Sequence, residues 1–214
     1  MTKDQKRALC VVQKLKDLYP DAVCALHYEG DPWRLLVMAR LSAQCTDARV
    51  NIVSEELFDR YPTPSAMADA DLEELENILK PCGLYHAKAR NVKEASRIVA
   101  DRYNGSIPDN MDELLALPGV GRKIANLLLG DVFHKPAIVT DTHCIRICGR
   151  LGFYPESLKV PYQVEKILVA LIPPEDSSDF CHRLVMFGRD TCTALSPKCP
   201  GCPLSDCCEH YHKL

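Results

Sequence analysis

Residues 117–123 read Leu117-Pro118-Gly119-Val120-Gly121-Arg122-Lys123, LPGVGRK. Upstream, Asp109 opens the helical pattern MDELLAL; downstream, KIANLLLGDVF resumes one. Proline and two glycines in between cannot continue a helix, so the segment joins two of them by a sharp turn. What the second helix starts with is unusual. Its first residues are an arginine and a lysine, yet the exposed N–H groups of a helix start carry positive partial charge and cations prefer the other end. Either a negative partner is expected there, or the lysine is placed to lose its proton easily.

Working outward, helical spacing is nearly continuous. Ala8, Val11, Val12, Leu15 and Leu18 share one face, as do Val50, Val53, Leu57 and Tyr61, then Leu72, Leu75 and Leu79, then Val92, Ala95, Val99 and Tyr103. Asp31-Pro32 and Thr63-Pro64 are start signals of the cap-then-proline type, and Asn104-Gly105 is a stop. Val164, Ile167, Leu168 and Leu171 form a later stripe, and Phe180, Leu184 and Phe187 another that ends before Gly188. Only Ala137-Ile138-Val139 hints at a strand, and three residues build no sheet. The pattern predicts an all-α protein of about ten helices.

The 214 residues carry a net charge of −3, which argues weakly against nucleic acid until the chain is divided. Residues 1–77 hold 9 Lys+Arg against 14 Asp+Glu, residues 78–150 hold 11 against 7, and residues 151–214 hold 6 against 8. The middle third, which contains LPGVGRK, is basic, and a local basic surface is what phosphate contact needs. No apolar run is long enough to span a bilayer, and the charged N-terminus lacks a signal-peptide pattern. A cytoplasmic location without membrane contact is expected.

Twelve cysteines are many for such a location. Cytosolic disulfides are rare, so clustered cysteines point to metal. The run CTALSPKCPGCPLSDCC gives C-x6-C-x2-C-x5-C if Cys192, Cys199, Cys202 and Cys208 are the ligands, with Cys207 the competing neighbour. Its prolines and Gly201 keep the segment out of a helix, so the thiolates are free to converge. Four thiolates suit zinc or an iron–sulfur cluster; zinc ribbons normally use two C-x2-C knuckles, and only one is present. The seven cysteines outside this segment read as small buried hydrophobes.

LPGVGRK, the TDTH at 140–143 whose Asp141 lies 18 residues beyond Lys123, and the cysteine spacing occur in that order, with LSAQCTD at 41–47 and GLYHAKARN at 83–91 before them. Together they resemble the endonuclease III family of DNA glycosylase/AP lyases, in the helix-hairpin-helix-GPD superfamily, over almost the whole chain. The resemblance implies two helical domains with duplex DNA across the groove between them. A six-helix barrel with the hairpin would span 24–134, and a domain of residues 1–23 and 135–214 would carry a [4Fe-4S] cluster on Cys192, Cys199, Cys202 and Cys208. It implies a monomer that binds damaged double-stranded DNA.

The same resemblance assigns roles. Gly119, Val120, Gly121 and Arg122 would form a nest of N–H groups for a phosphate, although a plain helix–turn–helix connection reads equally well from the motif alone. Lys123 would attack the sugar C1′ as an amine kept neutral by burial or by neighbouring positive charge. Asp141 would stabilise the charge that develops on the sugar, and as a helix N-cap it would hold its own direction. Gln44 and Leu84 would fill the gap left when a nucleotide turns out of the duplex. His143 reads as a supporting residue. The segment TALSPK departs from the family, whose loop between the first two cluster cysteines is usually rich in basic residues; here Lys198 is the only cation. The expected activity is excision of oxidised pyrimidines with strand cleavage by β-elimination. The rivals are the related adenine glycosylase, which usually lacks the lysine, and a catalytically silent iron–sulfur protein that binds DNA or carries electrons.

Overall fold

A computed structural model of the chain describes residues 1–213. Eleven α-helices are joined by turns and short 3-10 segments, and among the described residues there is no strand. No helix among them is long and apolar enough to cross a membrane. The chain separates into two compact units, Cys24–Phe133 and Met1–Val23 with His134–Leu214.

The unit Cys24–Phe133 contains α2 (Pro32–Leu41), α3 (Asp47–Arg60), α4 (Pro64–Asp69), α5 (Leu72–Leu79), α6 (Tyr85–Tyr103), α7 (Met111–Leu115) and α8 (Arg122–Asp131). That is one more helix than the resemblance implies, α7 being little over a turn. Most starts are fixed by side chains: Asp31, Thr46, Thr63, Asp71 and Asn110 each accept a backbone N–H of the first turn. The cap of α7 is thus Asn110, not Asp109, because the Asn110 carboxamide reaches the Glu113 N–H at 3.0 Å. The core gathers Trp33, Leu36, Leu57, Leu75 and Val92. Trp33 meets Phe58 edge-on at 5.5 Å, and its indole N–H donates to the buried Ser96 hydroxyl at 3.0 Å. The long α6 packs against α4, α5 and α2, and α2 also meets α8, so the hairpin is backed by the core helices.

The other unit contains α1 (Lys3–Leu18), α9 (Thr142–Leu151), α10 (Pro161–Leu171) and α11 (Ser177–Asp190). Thr2 and Gln5 close α1 with a reciprocal capping box. Val11, Leu15, Ile147, Leu168, Phe180 and Leu184 form this core. Helix α11 does not stop at Gly188, as its sequence suggested, but runs two residues further. Glycine is needed there for packing: a Cβ on Gly188 would fall 2.3 Å from the His143 Nδ1.

Candidate DNA interface, catalytic residues and cysteine site

The hairpin is anchored from below. Leu117 and Val120 are buried, and the Val120 N–H donates to the Leu117 carbonyl at 3.1 Å, which closes a tight turn over Pro118 and Gly119. Gly119 is required twice: its φ is +76°, and a Cβ would lie 2.4 Å from the Arg40 Nε. Gly121 differs. Its φ of −99° is open to any residue and nothing lies within 4 Å of an added Cβ. What it contributes is a missing side chain: α8 begins at Gly121 with no side-chain cap, so the first-turn N–H groups are not closed off by one. Val120, expected among the DNA-contacting residues, does not fit that part, because its side chain is core and its N–H is spent within the turn. Arg122 is half-buried and Lys123 exposed. Burial expected for a neutral amine is therefore absent in the free protein.

Asp141 is the N-cap of α9, and one carboxylate oxygen accepts the Cys144 N–H at 2.7 Å. The side chain is half-buried with its direction fixed. His143 stands in the first turn of the same helix. Its Nδ1 lies 3.2 Å from Arg146, whose guanidinium donates to the Cys192 carbonyl at 3.0 Å, so α9 is tied to the cysteine segment.

Gln44 and Leu84 share one backbone signature. Their φ angles are 54° and 50°, in the left-handed region where a bulky residue such as leucine is a genuine outlier. Both are exposed, Leu84 by 57%. Leu84 is the N-cap residue of α6, while Gln44 lies in the middle of the 42–46 turn, two residues before Thr46, the N-cap of α3.

Cys192, Cys199, Cys202 and Cys208 line one cavity with Arg150, Phe187 and Leu204. Burial, and then the charge of the neighbouring cysteine sulfurs, pushes the Cys202 and Cys208 thiols up. Arg150 donates to the Cys192 sulfur at 3.3 Å and to the Thr193 carbonyl at 2.7 Å. Four crowded thiols facing apolar side chains, with a guanidinium on one of them, fit a group that binds four thiolates and carries negative charge. Cys207 turns away: its sulfur lies 2.8 Å from that of Cys10 on α1, and burial followed by that contact pushes it up to about 12. Asp206 joins Cys10 and Cys207 within 4.8 Å, but Lys14 neutralises its carboxylate at 2.5 Å, which leaves two thiols as the free donors there.

Three positively charged residues were missed by the sequence reading. Arg150 is one; the others are Arg40, whose buried Nε has no hydrogen-bond partner, and Lys88, only 1% exposed. Helical spacing carried a signal for Lys88, which stands four residues before Val92 on the stripe continued by Ala95 and Val99. For Arg150 and Arg40 the sequence offers no comparable sign.

Residues 37–174 match the HhH-GPD superfamily of base excision DNA repair proteins. Endonuclease III of Bacillus subtilis is 43% identical, over 94% of this chain and 91% of its own. Endonuclease III of Escherichia coli K12 is 37% identical over 99% of both. A non-covalent endonuclease III–DNA complex superposes with a TM-score of 0.91 at 43% identity, covering 100% of this chain and 98% of that one. A trapped endonuclease III–DNA covalent intermediate gives the same TM-score and identity, covering 100% and 99%. The chain belongs to the HhH-GPD superfamily of base excision DNA repair proteins and, within it, to the endonuclease III family.

Proposed function

We propose that the protein excises oxidised pyrimidines from duplex DNA and cleaves the strand at the resulting abasic site, with Lys123 as the nucleophile. The observation that carries this is the start of α8. A glycine cap puts no side chain over the helix start beside the hairpin, and an exposed amine stands two residues further on. Open donors at a helix N-terminus suit a phosphate and read no sequence. Gly119 shapes the turn, while Gly121 and Arg122 face the backbone.

The chemistry follows from the amine. Uncharged Lys123 Nζ forms a bond to C1′ as the glycosidic C–N bond breaks and the base leaves with a proton. The amine adduct becomes an imine as the C1′–O4′ bond of the sugar ring breaks and O4′ takes up a proton. Loss of a C2′ proton then expels the 3′ phosphate and cuts the strand, and water releases the sugar to regenerate the lysine. Since Lys123 is exposed in the free protein, the desolvation that favours a neutral amine comes from the docked nucleotide. Asp141 supplies a fixed carboxylate for the positive charge that develops on the sugar, its free oxygen being the one not used in capping. Gln44 and Leu84 take the space of the extruded nucleotide. Cys192, Cys199, Cys202 and Cys208 would hold a [4Fe-4S] cluster; such a cluster supplies redox capacity and a rigid four-point tie for the segment.

Borohydride reduction tests the lyase directly, because it turns the imine into a permanent protein–DNA bond. Wild-type protein mixed with duplex bearing an oxidised pyrimidine is expected to form that adduct and cut the strand, and Lys123→Gln to do neither while still binding. Base release without an adduct would make the enzyme a monofunctional glycosylase. Binding without either reaction would favour the silent iron–sulfur alternative. For the cofactor, purified protein is expected to contain iron and sulfide, to lose both in Cys208→Ser and to retain them in Cys207→Ser; bound zinc in their place would overturn the assignment.

A further inference from the structure

The left-handed loop that presents Leu84 is held from beneath by one residue. Lys88 lies one turn into α6, and its backbone N–H donates to the Leu84 carbonyl at 3.0 Å. Its ammonium turns back under the loop and donates to the Cys82 carbonyl at 2.8 Å. Gly83 and Leu84, both at positive φ (67° and 50°), are thus gripped at each end by the same lysine. Below the loop the Cys82 thiol is pushed up to about 11 by burial and then by the neighbouring Cys45 sulfur, so no anion stands there to answer the ammonium.

Lys88 is a costly residue to place there. At 1% exposure it is among the largest fully buried side chains, and burial lowers the proton affinity of its amine. The titratable groups facing it are the Cys82 and Cys45 thiols and the Arg40 guanidinium, with no carboxylate among them. A buried cation that meets a carbonyl, two thiols and another cation is a poor contributor to stability. A leucine or methionine would fill the space without that penalty. What the ammonium adds is a charge-assisted hydrogen bond to one carbonyl, set where the backbone is strained.

We propose that Lys88 is a positioning residue for damage recognition: by clamping the carbonyls on either side of Gly83 it keeps Leu84 in the left-handed conformation that enters the duplex. This rests on the reading of Leu84 as an inserted residue. Lys88 touches neither the substrate nor the nucleophile, so its effect passes through Leu84.

A double-mutant cycle on the intact, cluster-containing protein tests it. Lys88→Met keeps the stem and removes the ammonium; Leu84→Ala removes the wedge. Each is combined with duplex carrying a stable abasic analogue opposite 2-aminopurine, whose emission rises when it unstacks. Both variants are expected to lose that rise and, on duplex bearing an oxidised pyrimidine, to slow excision by about tenfold or more, and the double variant to be no slower than Leu84→Ala alone. Additive losses, or a full fluorescence rise in Lys88→Met, would overturn the proposal. If Lys88→Met does not fold, Lys88→Arg retains the cation and a donor and is expected to retain the rise; a folded Lys88→Arg without it would overturn the proposal equally. The fluorescence requires no chemistry, so positioning and catalysis fail separately. Wild-type protein that unstacks 2-aminopurine but forms no borohydride adduct would sink the lyase and leave Lys88 its role.

Discussion

Two helix starts, twenty residues apart in sequence, use the same physics in opposite ways. Helix α9 begins at Asp141, whose carboxylate accepts an N–H of its own first turn. Helix α8 begins at Gly121, which has nothing to offer its first turn. In α9 the positive end of the helix is answered internally, and the answering group is pinned in one direction as a result. In α8 no cap side chain answers it, and Arg122 and Lys123 add to the positive field. A helix N-terminus is therefore either a clamp for a carboxylate or an opening for a phosphate, according to whether the cap residue has a side chain.

The largest expected effect breaks the α9 side. Asn and Asp cap helices about equally well, so Asp141→Asn preserves the clamp and removes only the charge. Excision is expected to fall by ~10²-fold or more, with DNA affinity and melting temperature near wild type. Asp141→Ala, which loses the cap as well, is expected to cost about 1 kcal/mol of stability in addition. Single-turnover excision rates beside thermal melts separate the two. Equal activity in Asp141→Asn and wild type would reduce Asp141 to a cap.

A second break is aimed at the hairpin that carries the α8 start. Gly119→Val places a branched side chain at a φ of +76°, against Arg40, so the turn cannot keep its shape. Affinity for damaged and undamaged duplex is expected to fall together, by roughly ten- to a hundredfold if one phosphate contact worth about 1.5–3 kcal/mol is lost. Titrations on both duplexes measure it, and loss confined to the damaged one would move the hairpin from backbone contact to recognition. Binding is also expected to weaken steeply with added salt.

How far this contrast could be read in the sequence depends on what sets each feature. The caps at Asp31, Thr63 and Asp141, the stripes and the turn at Gly119 are local, and a few residues on either side declare them. Spacing alone left Cys207 and Cys208 in competition and the family resemblance favoured Cys208; in the structure Cys207 faces Cys10, 197 residues away in sequence. Less local features escaped. Val120 looked like part of an exposed nest because glycines flank it, yet packing beneath the turn claims its side chain. Asp109 and Asn110 are equally good caps on paper, and only the reach to Glu113 chooses between them. The left-handed Leu84 is strained, and strain imposed by a lysine one turn away leaves no trace in propensity. Arg40 lies beneath a hairpin that begins more than seventy residues later, a proximity only the folded chain creates.

The smallest expected effect would sharpen the contrast by turning one start into the other. Gly121→Asp gives α8 the cap that α9 already has, at a backbone φ any residue accepts and in open space. Asp exceeds Gly as an N-cap by a few tenths of a kcal/mol, and its charge at the positive end of the helix adds about 0.3–1 kcal/mol. The variant is therefore expected to melt slightly higher than wild type. The same carboxylate occupies N–H groups that a phosphate would use and repels it besides, so DNA affinity is expected to drop even as the fold gains. Melting curves and duplex titrations on one preparation decide the matter. A variant that is more stable and binds as well as before would show that the open start of α8 is incidental, and that the phosphate is held by the turn alone.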